Sequence, residues 1–366
     1  MNPRLTFFFE GDDFFAALQD SIRKAHVSID IEFYYFASDE IGASFAKLLT
    51  QKVAEGVEVR LIYDALGCLR TDASFFAELE QQGIAVKPFH PLFPISEHLG
   101  RRDHRKLMVV DGEVGFVGGF NLSSEYSARF RGPEAWRDTG LGIWEDVSVQ
   151  RLKRLFQENW EGLWYLAKMD VVELWRGELR PDWQQSKFHM IPNHGWRRKS
   201  LIRQEYLAAI IHAKRCIHLT NPYFIPDRGI RRALRRAAQR GVEVALLTAG
   251  VTDVRIARWA GQATYARLLG AGVRLFEYQG RFLHAKSATV DGEWFTVGTS
   301  NIDHISFFRN LEVNLFGRDG EAVGVLDGQF VKDLTSSREI TLQDWRQRPW
   351  WVRVRSKFFF YFRVWL

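Results

Sequence analysis

The sequence predicts an α/β protein built from two tandem halves, each a mixed β-sheet with helices on its faces. Three observations carry that prediction. The segment His104–Glu113 returns as His284–Glu293, 180 residues later, and the same offset relates Lys106 to Lys286, Asp111 to Asp291 and Asn121 to Asn301. Strand-like runs alternate with helix-like ones ahead of both copies. Finally, 366 residues with 46% hydrophobic and 26% charged side chains exceed one ordinary core but suit two.

In chain order, Val27 to Phe36 opens with the alternation of a strand, and Cys216 to Phe224 takes its place in the second half. Gly56-Val57-Glu58-Val59 follows a helix-like stretch, as does Gly241-Val242-Glu243-Val244. Each half thus reads strand, helix, strand, helix, strand, then the motif. Inside the motif, Asp111-Gly112 and Asp291-Gly292 separate apolar runs, a hairpin signal because both turn positions favour positive φ. These aspartates are turn formers or site residues, and both readings stay open. The expected divisions are a first unit at 1–164, a connector at 165–195 holding Pro181 and Pro192, a second unit at 196–335, and a tail at 336–366.

Composition narrows the function. Two cysteines, Cys68 and Cys216, exclude a disulfide framework and any Cys-x-x-Cys site. The first residues lack the layout of a signal peptide, and no run approaches the roughly 18 apolar residues of a spanning helix, so no membrane crossing is expected. The net charge of +6 equals the six cations of residues 345–366, which hold no acid and nine aromatic side chains. A second basic stretch without acid occupies residues 228–240. Such patches point to an anionic partner, nucleic acid or lipid surface.

His and Lys two apart in an extended run share a face, so His104 pairs with Lys106 and His284 with Lys286. Two such pairs at matching places suit phosphoryl transfer. A neutral imidazole is a nucleophile near neutral pH, and a second, protonated one can serve the leaving oxygen. Two lysines supply fixed positive charge for a five-coordinate phosphorus, and Asn121 and Asn301 can add amide donors. A metal site fits less well, because each histidine sits beside a cation.

His-x-Lys-x4-Asp twice, each followed by Gly-x-x-Asn (Gly118 to Asn121; Gly298 to Asn301), resembles the phospholipase D superfamily over nearly the whole chain. The flanks are similar to bacterial cardiolipin synthases without transmembrane helices: Gly11-Asp12, Trp136-Arg137-Asp138-Thr139, Asn221-Pro222-Tyr223-Phe224-Ile225-Pro226 and Arg309-Asn310-Leu311-Glu312-Val313-Asn314. The resemblance implies two phospholipase D-like domains about a pseudo-two-fold, both motifs meeting in one site that needs no metal or other cofactor. It implies a phosphohistidine on His104, with His284 as acid and then base. Asp111 and Asp291 complete the motifs as catalytic residues. Glu312 orients a motif histidine, and Asp138 does the same job in the first half. Thr299 follows the second motif glycine as the family pattern has it, whereas Gly119 offers no hydroxyl.

The implied reaction makes cardiolipin from two phosphatidylglycerol molecules with release of glycerol. A phosphodiester hydrolase of the same superfamily, phospholipase D or nuclease, is the alternative. The basic-aromatic tail is expected to lie in an anionic phospholipid interface, at the cytoplasmic face of a bacterial membrane, with no nucleic-acid partner.

Overall fold

The computed structural model describes residues 4–91, 100–144, 146–163, 186–194 and 200–365. In the first half, β1 (Arg4–Phe8), β2 (Ser28–Phe33), β3 (Glu58–Asp64), β4 (Ala85–Phe89), β5 (Lys106–Val110), β6 (Val114–Gly118) and β7 (Gly140–Trp144) form one sheet ordered β1-β7-β6-β5-β2-β3-β4. Strands β2, β3 and β4 run parallel, joined by helices Glu40–Ala54 and Ala73–Gln81, and the others are antiparallel. Asp39 starts the first of these helices by accepting from the amides of Ile41 and Gly42.

The second half adds β8 (Phe188–His194), β9 (Cys216–Thr220), β10 (Glu243–Ala249), β11 (Arg274–Tyr278), β12 (Ser287–Val290), β13 (Trp294–Gly298), β14 (Leu311–Arg318) and β15 (Ser337–Ile340). Read from β8, its sheet runs β8-β14-β13-β12-β9-β10-β11-β15, which repeats the first sheet strand for strand and then adds β15. Each half has its own apolar core. A third core lies between the halves, where Leu107, Val117 and Leu141 meet Phe295, Val297, Leu311, Val313 and Leu315. Strand β5, buried on both faces, therefore reads as the unbroken apolar run Leu107-Met108-Val109-Val110 rather than an alternating one.

Two expected divisions change. The connector assigned to 165–195 ends in β8, which pairs along its length with β14. Pro192 lies inside that strand, opposite Val313, at the sheet's outer edge, where the missing amide hydrogen breaks no ladder bond. Trp164, Pro181 and Trp196 lie outside the described residues. The tail assigned to 336–366 is likewise no separate appendage. Its β15 pairs with β11, Trp345 is only 4% exposed within the second core, and helix Trp350–Tyr361 packs on helix Arg255–Gln262. Burying one aromatic in the core outweighed leaving the segment in solvent; only part of its aromatic surface stays exposed.

Candidate active site

Strand order brings the two motifs to the middle of the molecule. Strand β5 begins at Lys106 and β12 at Ser287, so both motif histidines lie in the extended residues just ahead of the strands rather than in them. Those extended residues are tied across the halves. The His104 amide donates to Leu311 O at 3.0 Å, and the Leu311 amide donates to Arg102 O at 2.9 Å. The His284 amide donates to Arg137 O at 2.7 Å, and the Arg137 amide donates to Phe282 O at 2.9 Å. Each motif thus leans on the opposite half's backbone, one residue short of a carboxylate.

The carboxylates follow the backbone. Glu312 of the second half holds His104 of the first, with Nδ1 3.1 Å from both Oε1 and Oε2. Asp138 of the first half holds His284 of the second, Nδ1 to Oδ2 at 2.6 Å. This corrects the expectation that Asp138 serves its own half. Both carboxylates are 0% exposed, against 14% and 8% for the histidines.

Thr299 and Gly119 now have a physical reason. Thr299 Oγ1 donates to Glu312 Oε2 at 2.5 Å, fixing the longer carboxylate. At Gly119 a β-carbon would stand 2.0 Å from Asp138 Oδ1, so the shorter carboxylate occupies the space a side chain would need. The Asp138 Oδ1 instead accepts from the Thr139 amide at 2.7 Å.

The lysines sit beside the histidine backbones. Lys106 Nζ donates to His104 O at 2.8 Å, and Lys286 Nζ donates to His284 O. Both lysines are buried, Lys286 at 0% exposed. Burial lowers Lys106 to about 7 and Lys286 to about 8. Burial, then the charges of Lys106 and Lys286, hold His104 well below its ordinary value. Burial and Lys286 lower His284 too, although Asp138 pulls the other way. The carboxylates differ. Burial pushes Glu312 up to about 8 in spite of Lys106, whereas Lys286 and His284 outweigh burial at Asp138 and hold it below the usual range. An ionised Asp138 accepts the Nδ1–H of His284, which leaves Nε2 as the nitrogen outside that bond.

Of the two asparagines, Asn121 is committed: its Oδ1 accepts from the Tyr35 amide and its Nδ2 donates to Tyr126 Oη at 3.1 Å. Tyr126 Oη in turn lies 3.2 Å from His284 Nδ1. Asn301 is 6% exposed, and its Oδ1 has no partner among the described residues. Sequence reasoning missed Tyr126, and also Tyr34, whose ring meets His104 edge-on at 5.1 Å and underlies Lys106 Nζ at 5.0 Å. Tyr34 stood in the strand-like run 27–36, but nothing marked it as pointing at the motif.

Asp111 and Asp291 do not join the site. Both are turn residues at positive φ, 53° and 56°, at the far ends of β5 and β12. From Lys106 to Asp111 is five strand residues, about 17 Å. The Asp111 carboxylate accepts from the amides of His26, Val27 and Ser28 at 2.8–2.9 Å. Asp291 repeats this with Lys214, Arg215 and Cys216 at 2.7–3.0 Å. Their place in the motif reflects a geometry that both repeats share, a latch between the hairpin and the strand beside it.

Fold and cleft together define a duplicated α/β protein whose halves share one histidine-lysine centre. The family described as cardiolipin synthase, PLD-like domain, matches residues 18–160 and 206–334. A cardiolipin synthase of Geobacillus thermodenitrificans is 36% identical over 351 residues, 94% of this chain and 68% of that protein. One from Listeria innocua is 34% identical over 353 residues, 95% of this chain and 72% of that protein. The crystal structure of a phosphatidylserine synthase from Haemophilus influenzae has the same fold, with TM-score 0.76, 12% identity and coverage of 99% of this chain and 95% of that one. The chain belongs to the cardiolipin synthase, PLD-like family, enzymes of the phospholipid phosphatidyltransferase kind. No helix among the described residues is long and apolar enough to cross a membrane.

Proposed function

We propose that this enzyme makes cardiolipin from two phosphatidylglycerol molecules through a phosphohistidine on His104. Nε2 of His104 attacks phosphorus, the bond from phosphorus to the headgroup glycerol oxygen breaks, and His284 gives that oxygen its proton. The headgroup hydroxyl of a second phosphatidylglycerol then attacks phosphorus, its proton passes to His284, and the nitrogen–phosphorus bond breaks. Lys106 and Lys286 balance the charge that gathers on the phosphoryl oxygens. With Asn121 spent on Tyr35 and Tyr126, Asn301 is the asparagine left for the phosphate.

The observation that supports this division of labour is the unequal pair of carboxylates. The Asp138 charge beside His284 favours a proton there, whereas His104 lies in the more strongly neutral environment. The relatives' names support phosphatidylglycerol chemistry, and an anionic membrane at the cytoplasmic face, not nucleic acid, is the partner this reading requires.

The test is incubation with vesicles of labelled phosphatidylglycerol. Cardiolipin and free glycerol in equal amounts are expected. Phosphatidic acid with no cardiolipin would replace the transferase by the hydrolase. His104→Ala and His284→Ala should each lower turnover by about a thousandfold or more, since nucleophile and acid act as one unit.

A further inference from the structure

Strand polarity tells which loops surround the cleft. Phe33, at the C-terminal end of β2, pairs with Lys106, so that end of the parallel strands is the motif end. Strand β3 runs parallel to β2, which places the following loop, with Leu66 and Leu69, at the motif end. Asp64, the last residue of β3, confirms the placement by accepting from the amide of Asp103, next to His104. Strand β6 runs antiparallel to β5, so the segment after it, with Phe130, ends there too. In the second half Thr220 of β9 pairs with Ser287, and β10 runs parallel to β9. The loop after β10, with Val251 and Val254, and the first turn of helix Arg255–Gln262, with Ile256, therefore also belong to the motif end. Tyr223 ties the loop to the site: its hydroxyl donates to Asp253, and its ring centroid is 6.3 Å from that of His284.

These loops expose apolar side chains that a soluble rim would not need. Leu66 is 40% exposed, Leu69 60%, Phe130 40%, Val251 46%, Val254 42% and Ile256 41%. Helix Trp350–Tyr361 extends the surface. Its inner residues Phe359 and Phe360 pack with Tyr223 on Ile225, Ala257 and Ala260, so it stands beside the rim. Its outer residues Trp350, Val354, Phe358 and Tyr361, spaced by about one helical turn, are 69%, 55%, 58% and 78% exposed.

The charges on these segments are mixed but biased. Arg70, Arg129, Arg131, Arg255, Arg353 and Lys357 are exposed there, against the exposed carboxylates Asp72, Glu134 and Asp253. Six cations against three carboxylates leave the positive charge in excess. Exposed apolar residues from four chain segments, rimmed by cations and ringing one cleft, describe a docking face.

We infer that this face seats on an anionic phospholipid bilayer with the cleft opening onto it. The rim loops and helix Trp350–Tyr361 enter the headgroup layer together. A lipid then presents its phosphodiester to His104 and His284 while its acyl chains stay in the bilayer. The inference rests on the proposed lipid substrate and adds the orientation of the whole molecule, with contributions from both halves.

The experiment uses the full chain carrying an environment-sensitive fluorophore at one new cysteine. Leu69→Cys, Val254→Cys and Phe358→Cys sample the face. Val27→Cys, 67% exposed at the opposite, Asp111 end, and Val147→Cys, 61% exposed just past β7, whose Trp144 pairs with Val114 at that same end, are controls. Vesicles of phosphatidylglycerol and phosphatidylcholine should blue-shift the three face labels and leave both controls unmoved. The quadruple variant L66S/L69S/V251S/V254S should bind those vesicles at least tenfold more weakly. A shift at Phe358→Cys alone would confine contact to the helix and overturn the inference. So would equal shifts at the controls, or face labels already shifted without vesicles in a protein that sediments as a dimer. Wild-type turnover is read separately: vesicle binding in the predicted orientation without cardiolipin formation would overturn the proposed reaction and leave the docking face standing.

Discussion

Glu312→Gln offers the sharpest probe of the site, because it changes one proton without changing shape. In the cleft, burial lifts Glu312 to about 8 and keeps His104 well below its usual value. At neutral pH the pair therefore holds one proton too many. A protonated Glu312 donates to Nδ1, which puts the remaining imidazole proton on Nε2, the atom proposed to attack phosphorus. The reactive form, a carboxylate accepting from Nδ1–H, accumulates as pH rises through about 8. Glutamine cannot hold the extra proton, so of this pair only His104 still titrates and the acid limb should move to lower pH. The height of the profile should drop as well. In the proposed phosphohistidine the ring carries positive charge, and unit charges about 4 Å apart interact by about 4 kcal/mol at an effective dielectric near 20, about a thousandfold. A charge-assisted hydrogen bond alone is worth about 1.5–3 kcal/mol, which sets the lower bound near tenfold. Folding should survive, since Thr299 Oγ1 can turn its hydrogen to Val313 O, 3.3 Å away, and accept from the new amide. The assay is initial rate of cardiolipin formation from pH 5 to 9.5 for both proteins. A limb that stays put in the variant, with only the plateau lowered, would refute the shared-proton account.

The other predictions test the remaining parts of the centre. Phosphodiesters with a nitrophenol leaving group need no general acid in the first step, so His284→Ala and Asp138→Asn should keep a burst of nitrophenol release that His104→Ala loses; a burst in His104→Ala instead would exchange the two roles. Gly119→Ala should lower turnover at least a hundredfold with little loss of substrate binding, because its methyl group displaces Asp138; unchanged kcat would show that the carboxylate can move aside. Asp111→Ala should leave kcat within about twofold while lowering thermal stability, since three amides lose their acceptor, each bond being worth about 1 kcal/mol; a large fall in kcat at unchanged melting temperature would return it to the catalytic set. Ending the chain at residue 349 should preserve the fold, whereas ending it at 336 removes buried Trp345 and β15 and should cost about 3–5 kcal/mol or prevent folding; chemical denaturation of both truncations distinguishes them.

What could be read in advance follows from what kind of signal each feature leaves. The repeat, the alternation of elements and the doubled His-x-Lys are local patterns, and the two sheets match strand for strand. Strand edges were harder. Pro192 looks like a linker residue until a neighbour, β14, is known to lie on one side only. Asp111 shows the limit of motif reading: its spacing from His104 is regular because strand β5 lies between them, and regular spacing does not say that two side chains meet. The tail misled for a different reason. Its aromatic content is shared between an inner face, with Phe359 and Phe360, and an outer one, with Phe358 and Tyr361, and only packing against helix Arg255–Gln262 separates them.

The exchange of carboxylates was least visible of all, because it links His104 to a residue 208 positions away and His284 to one 146 positions away. Its cause lies in the backbone. The residues before each histidine pair with the opposite half through single bridges, Asp103 with Leu311 and Arg137 with Leu283, and the side chain one step further along inevitably faces the other half's imidazole. Neither half therefore contains a complete histidine-carboxylate pair. Duplication supplied two equivalent positions, and the small differences did the rest. Glycine beside aspartate, and threonine beside glutamate, hold two histidines at matching places with carboxylates of different length and different affinity for a proton. A symmetric centre could only compete with itself for one proton; this one begins each cycle with its protons already unevenly divided.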